Sequence, residues 1–157
     1  MSGVDGQIVR AGETPPSASD ADDTVLAQIT NDVYLPGIPE VGTTFVAPAS
    51  GRVRMTVSAG LRDNGTAPRA RIFVSPQVFR GTSAAGVEVL APSVTFRGVA
   101  SNRENVEFQY GSRVALMTGL TPGETYYARL MHLATPIADP SDTADIAVRD
   151  ITVIPVP

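Results

Sequence analysis

Few side chains in this sequence could perform catalysis, and their spacing matches no catalytic pattern. The single histidine, His132, could act as a general base only beside an acid and a reachable nucleophile. The sequence contains no Gly-x-Ser-x-Gly elbow and no cysteine. We therefore expect a structural or surface position for His132, and we predict a protein that is not an enzyme and binds no cofactor.

Three carboxylates recur at three-residue spacing at Asp139, Asp142 and Asp145. Oxygen ligands gathered on a loop can bind calcium. However, this stretch consists of ordinary turn-forming residues and lacks the EF-hand pattern with its bidentate glutamate. We predict a turn here and no metal site.

Arginine supplies all twelve basic residues, and two pairs of arginines are spaced two residues apart. At the two-residue period of a β-strand, both members of a pair project from the same sheet face. Their planar guanidinium groups could pair with carboxylates of a neighbouring subunit, or the faces could simply be solvated. The candidate subunit contacts are Arg52, Arg54, Arg69 and Arg71.

The composition indicates one folded domain. The chain has 157 residues, of which 43% are hydrophobic and 18% charged, and this balance permits a packed core. A net charge of -4 disfavours nucleic acids and anionic membranes as partners. No apolar run is long enough for a membrane span, and the first residues lack the basic and apolar regions of a signal peptide. We expect no export signal.

Strict alternation of apolar and polar residues from Arg52 to Leu61 predicts a half-buried strand. The predicted buried face consists of Val53, Met55, Val57, Ala59 and Leu61. Further strands are expected over residues 43–47, 70–79, 87–99 with a break near Pro92, 106–110, 113–118, 125–133 and 143–153. Residues 22–31 fit a helix or a strand equally well. Short strands with regular turns, rich in Pro and Gly, predict an all-β fold, a two-sheet antiparallel sandwich.

The first part of the chain has a different character. Residues 1–23 hold few large apolar side chains and end in an acidic cluster. We predict an extended N-terminal arm over residues 1–23, with Val4, Ile8 and Val9 as its docking residues, and a β-sandwich domain over residues 24–157.

Two stretches carry a resemblance to a known family. Thr44 to Ser58, with the sequence TFVAPASGRVRMTVS, resembles the early strand pair of jelly-roll modules in bacteriophage tail, fibre and head-decoration proteins, and more distantly of trimeric C1q-like heads. Gly119 to Leu130 together with Ala144 to Pro157 is similar to the last strands of such modules. The resemblance covers about residues 40 to 157 and implies a jelly-roll-like sandwich.

A competing resemblance involves Tyr126. The spacing from Leu120 through a proline to Tyr126 is also the tyrosine-corner pattern of fibronectin type III domains, in which the hydroxyl bonds to upstream backbone. The chain has no tryptophan and is longer than such domains, so we favour the jelly roll. Either fold makes Tyr126 a buried structural residue.

The phage resemblance implies a virion structural protein, either a capsid decoration subunit or a minor tail subunit. Such a protein would be assembled in the host cytoplasm, form a homotrimer and bind other virion proteins, such as the major capsid or tail proteins, through its arm. The chain has no lysine and is rich in Ala, Gly and Pro, a composition that indicates a GC-rich genome. Such a composition resembles that of proteins from phages that infect actinobacteria. The alternative is a carbohydrate- or cell-surface-binding module, fibronectin type III-like or receptor-binding, for which Tyr34, Tyr110 and phenylalanines in loops would be the available aromatic side chains.

Overall fold

The described residues fold entirely into β-strands and connecting segments. The computed structural model describes residues 14–63, 71–93, 95–101, 106–135 and 143–157. The strands are β1 (Ala18–Asp22), β2 (Leu26–Ile29), β3 (Leu35–Pro36), β4 (Gly42–Val46), β5 (Val53–Asp63), β6 (Arg71–Arg80), β7 (Val87–Leu90), β8 (Val99–Ala100), β9 (Gln109–Met117), β10 (Thr125–Thr135) and β11 (Ala144–Pro155). In this part of the chain no helix could cross a membrane.

The strands form two antiparallel sheets. Sheet A has the order β1-β11-β5-β9, with β2 also on β11. Sheet B has the order β3-β10-β6-β7, with β4 also on β10 and β8 also on β6.

This strand order is that of a jelly roll. The chain passes from β4 in sheet B to β5 in sheet A and back to β6 in sheet B, and it repeats this alternation from β9 through β10 to β11. The first strand lies beside the last one. An immunoglobulin-like sandwich instead pairs its first strand with its second. The predicted all-β, two-sheet antiparallel jelly-roll-like sandwich is therefore confirmed, and the fibronectin type III alternative does not fit.

The core lies between the two sheets, and β5 supplies one complete row of it. The five residues predicted to be buried on this strand are each no more than 2% exposed. They are Val53, Met55, Val57, Ala59 and Leu61. Burial of a large aliphatic side chain is worth about 1.5 to 3 kcal/mol, so this alternation fixes the strand phase.

Some predicted boundaries need correction. Residues 106–110 and 113–118 were expected to form two strands, yet Gln109–Met117 is one continuous strand that pairs with β5 along its whole length. The break predicted near Pro92 is present, since residues 87–99 contain two short strands and the described residues between them are not in a strand. Residues 22–31, which fitted helix or strand, contain β2.

The sandwich begins earlier than predicted. Ala18 to Asp22, which were assigned to the arm, form β1 and pair in register with Val153 to Arg149 of β11. We therefore move the start of the sandwich from Thr24 to Ala18. The predicted docking residues Val4, Ile8 and Val9 lie outside the described residues, so the docking role of the arm stays a prediction.

One turn shows how glycine permits the crossing between sheets. Gly51 has a φ of 64°, and a Cβ at this position would lie 2.5 Å from the Leu120 carbonyl oxygen. Its own amide bonds to the Pro48 carbonyl at 2.9 Å, and its carbonyl accepts from the Leu120 amide at 3.1 Å. This turn joins β4 of sheet B to β5 of sheet A at this end of the sandwich.

Candidate functional site

The outer face of sheet A exposes a strip of apolar side chains on the edge strand β9. The register places Tyr110, Val114 and Leu116 opposite Gly60, Thr56 and Arg54 of β5, so all six residues share the outward face. Tyr110 is 70% exposed, and Val114 and Leu116 are each 56% exposed. Below, "the β9 strip" denotes Tyr110, Val114 and Leu116. Ser112 lies between Tyr110 and Val114 on this face, whereas Val114 and Leu116 are adjacent. Exposed apolar residues grouped on one face are typical of interaction surfaces.

Two opposite charges lie on the same face as the strip, and neither pairs with another described residue. Arg54 of β5 lies between Leu116 of β9 and Ile154 of β11. Asp150 of β11 lies opposite Ser58, which is four residues along β5 from Arg54 and on the same face. Among the described residues neither side chain takes part in an ion pair or a hydrogen bond. The outer face of sheet A therefore offers one cation and one anion to a partner.

The outer face of sheet B is different because its polar groups satisfy one another. Arg129 donates from Nε to Gln77 Oε1 at 2.9 Å and from Nη1 to Glu40 Oε2 at 2.8 Å. The Tyr127 hydroxyl also donates to Glu40, and burial together with this carboxylate raises the pKa of Tyr127 to about 12. On the described part of sheet B, exposed apolar side chains include Val87 (71%) and Val89 (38%) on the edge strand β7. The β9 strip has three such residues, each more than half exposed, so we take the outer face of sheet A as the better candidate interaction face.

The other predicted arginine contacts have varied surroundings. Arg52 is exposed and donates to the Pro157 carbonyl at 2.8 Å. Arg71 is half-buried, donates to the Ser101 carbonyl at 2.9 Å and lies over the Phe73 ring. Arg69 lies outside the described residues. Of the four arginines, Arg54 is therefore the one that the structure brings beside the β9 strip.

Tyr126 occupies the structural position that its spacing indicated. It is 1% exposed, and its ring stacks on Phe45 of the neighbouring strand with ring centres 5.6 Å apart. Its hydroxyl accepts a hydrogen bond from the Thr121 amide at 2.9 Å. A buried phenol needs such a partner, and this bond fixes the turn that leads into β10.

A buried polar cluster connects the two sheets at the edge formed by β1. Arg149 lies on the inner side of β11, is 1% exposed and contacts the Asp22 carboxylate at 2.7 Å. Its Nη1 also donates to the Pro39 carbonyl at 2.9 Å. From the same strand as Asp22, Asp20 accepts a hydrogen bond from the Gly42 amide of sheet B at 2.9 Å. The carboxylates of β1 thus bind groups on both sides of the sandwich.

A cleft of about 510 Å³ opens beside this cluster, between β2 of sheet A and β3 of sheet B. His132 of β10 lines it and is 7% exposed. Burial, with a smaller contribution from the positive charge of Arg149, lowers the pKa of His132 to about 4, so the imidazole is uncharged at neutral pH. His132 is structural in position, as expected, but it also faces a cavity that the sequence did not indicate.

Two hydrogen-bonded side chains shape the walls of the cleft. The amide of Gln28, a residue with a φ of 55°, donates to Asp145 Oδ1 at 2.8 Å. Asp145 also pairs with Arg62 at 2.7 Å. Asn31 donates to the carbonyls of Val33 and His132 at 2.8 and 3.0 Å. These bonds hold the segment around β2 at a fixed distance from β10.

No metal site is evident among the residues that the structure describes, where three His, Asp or Glu side chains do not come together. Of the three regularly spaced carboxylates, Asp145 is buried in β11 and engaged as above. Asp139 and Asp142 lie outside the described residues.

Comparisons with known proteins give no family. No family model matches the chain, and no curated protein matches it. Among solved structures, the chain is similar to Eiger TNF from S. frugiperda, with 10% identity, 92% of this chain and 94% of that chain covered, and a TM-score of 0.42. It is also similar to the CBM22-1 xylan-binding domain of Paenibacillus barcinonensis Xyn10C, with 9% identity, 88% and 87% covered, and a TM-score of 0.34. These scores are too low to support an argument, so the fold assignment here rests on strand order.

Proposed function

We propose that this protein is a non-enzymatic structural subunit of a bacteriophage particle and that it self-associates, as a trimer, through the outer face of sheet A. The observation that carries the self-association is the β9 strip, whose Val114 and Leu116 are each 56% exposed on a regular sheet face. Burying such side chains against a second copy would remove apolar area from water and favour association.

The charges beside the strip fit a second copy of the same chain. Arg54 and Asp150 lie on the same face and have no partner among the described residues. In a symmetric assembly, Arg54 of one subunit could pair with Asp150 of the next, and each contact would repeat around the ring. This arrangement gives the association a defined register as well as an apolar contact.

Mass measurement in solution tests the association. We expect the wild-type protein to be an oligomer by native mass spectrometry and light scattering, and Leu116→Asp to be a folded monomer. Val87→Asp is the matched control because Val87 is 71% exposed on β7 of the other sheet. A monomeric wild type, or equal effects of the two variants, would contradict the proposed interface.

A charge exchange tests the register. Arg54→Asp and Asp150→Arg should each weaken association because like charges would then face each other. The double variant should recover much of the wild-type oligomer. If the double variant is weaker than both single variants, the two residues do not meet across an interface.

The virion assignment is supported by the resemblance of residues 44–58 and 119–130 to jelly-roll modules of phage particles. Its test is the presence of the protein in purified particles by mass spectrometry and electron microscopy. Deleting residues 2–13 should preserve oligomer mass and abolish incorporation, because Val4, Ile8 and Val9 would be removed while β1 remains intact. Incorporation of the truncated protein at wild-type levels would refute attachment through the arm.

One observation favours a second candidate function, the binding of a glycan. The Tyr110 ring is 70% exposed and stands over Gly60, where a Cβ would lie 2.6 Å from the ring. An exposed aromatic ring over a flat sheet can stack on a sugar. Glycan-array binding that is lost in Tyr110→Ala but retained in Leu116→Asp would favour this function over assembly.

A further inference from the structure

The cleft between β2 and β3 has the size and chemistry of a small-molecule site. Its volume of about 510 Å³ falls within the range of roughly 300 to 1,000 Å³ that is usual for ligand pockets. Its walls are mainly apolar, and the polar side chains that line it are Gln28, Thr30, Asn31 and His132. The apolar side chains that line it are Val25, Leu26, Ile29, Leu35 and Ile38.

His132 supplies a polar group at the floor of this cleft. His132 is 7% exposed as a residue and is one of the residues that line the cleft. No described residue forms a hydrogen bond to its ring, because the bond from Asn31 goes to the His132 backbone carbonyl. The ring nitrogens are not among the fully buried side-chain atoms that lack a partner, so the imidazole is open to a hydrogen bond with water or a ligand in the cleft.

The charges around the cleft select against ionised ligands. The buried guanidinium of Arg149 disfavours a cation near His132 and already depresses its protonation. The described residues that line the cleft also offer no positive charge to an anion. The Arg149 guanidinium binds Asp22 and the Pro39 carbonyl, and it does not line the cleft. Desolvating a charge against aliphatic walls would be costly.

We propose that this cleft binds an uncharged, mainly apolar small molecule that carries a hydroxyl or carbonyl group hydrogen-bonded to the His132 imidazole. The apolar body packs against Leu26, Leu35 and Ile38, and the neutral imidazole can donate or accept one hydrogen bond. This site is on the sandwich edge, whereas the β9 strip is on the outer face of sheet A, so the binding is independent of the proposed assembly.

The single histidine allows a direct measurement. In long-range ¹H–¹⁵N spectra of the full-length protein, the imidazole signals come from His132 alone. We expect phenol and cyclohexanol to shift these signals in a saturable way at neutral pH, and benzylamine and benzoate to have little effect. No shift with the uncharged probes, or an equal shift with benzylamine, would overturn the proposal.

A pair of probes separates the hydrogen bond from apolar packing. Toluene has nearly the shape of phenol without its hydroxyl. Calorimetry should show phenol binding about two- to tenfold more weakly to His132→Leu than to the wild type, while toluene binding is not reduced. Equal losses for both probes, or no loss for phenol, would show that His132 does not bind the hydroxyl and would overturn the proposal.

A substitution on the wall locates the binding and does not depend on the histidine. Leu35 lines the cleft opposite His132 in register and is 44% exposed, so Leu35→Asp should fold. We expect this variant to lose phenol binding and to gain benzylamine binding, and we expect Val87→Asp to behave as the wild type. Unchanged phenol binding by Leu35→Asp would place the probe elsewhere and overturn the assignment of the cleft.

Discussion

Asp22 and Arg149 face each other directly on the neighbouring strands β1 and β11, with a carboxylate oxygen 2.7 Å from a guanidinium nitrogen. Arg149 is buried between the sheets, and its Nε has no hydrogen-bond partner. The Asp22 carboxylate therefore compensates a cation that water cannot reach. Since Arg149 also binds the Pro39 carbonyl, the pair fastens the edge of sheet A to the segment before β4.

Asp22→Asn should destabilise the fold strongly because it keeps the shape of the side chain but leaves the guanidinium without a counter-charge. We expect a loss of about 3 kcal/mol in the free energy of unfolding, at the low end for a broken buried pair because Asp22 is partly exposed. Urea denaturation measures this loss. Asp23→Asn, an exposed neighbour, is the control, and equal stabilities of the two variants would contradict the role of Asp22.

The start of the sandwich illustrates what sequence reasoning could not find. The segment Ala18 to Asp22 is small and acidic, so it carries no hydrophobic alternation. Its strand is held by backbone pairing with β11 and by bonds from Asp20 and Asp22 to distant residues. The local sequence contains neither partner. For that reason the segment resembled an arm.

The central strands were predictable because one buried face imposes a period of two. Val53 to Leu61 shows this period without interruption, and its phase was predicted correctly. In β11, by contrast, a register shift between Ile146 and Val148 changes the phase, so that Arg149 points inward. The β9 strip was missed for a related reason. Alternation around Val114 and Leu116 indicates a strand but not which face a second sheet covers.

The phase of β5 can be tested with two adjacent positions. Val57 lies in the core, whereas Thr56 faces outward beside Val114. Val57→Asp should prevent soluble folding because a buried carboxylate would lack a partner, and Thr56→Asp should fold. Soluble yield and circular dichroism provide the comparison. Equal yields would be incompatible with the strand phase described above.

Tyr126→Phe should reduce the free energy of unfolding by about 0.5 to 1.5 kcal/mol, because the Thr121 amide would lose its acceptor. Thermal and urea denaturation measure this change, and the oligomer mass should stay the same. Tyr110→Phe is a matched control, since the Tyr110 ring is exposed. A variant at Tyr126 that is as stable as the Tyr110 control would show that the buried bond contributes nothing.

The low pKa of His132 predicts a loss of stability in mild acid. The folded-state pKa is about 4, below the ordinary value of 6.5, so between these values the unfolded chain binds a proton that the folded chain does not. The free energy of unfolding should therefore fall as the pH falls from 6.5, by roughly 3 kcal/mol at pH 4.

Urea denaturation of the wild type and of His132→Leu at pH 7 and pH 4 tests this prediction. Both proteins carry the same carboxylates, so the difference between their pH profiles isolates the histidine. Parallel profiles for the two proteins would mean that His132 titrates near its ordinary value in the folded state.

The position of β11 has a consequence for how the protein is made. β11 is the last of the strands in chain order, yet β1, β2 and β5 all pair with it, and Ala18 finds its partner only at Val153. On the ribosome, sheet A cannot close until this strand has emerged from the exit tunnel. Contacts this distant in sequence make folding slow, typically over milliseconds to seconds. Nascent chains that stall before β11 would expose unpaired strand edges and are expected to be substrates for chaperones.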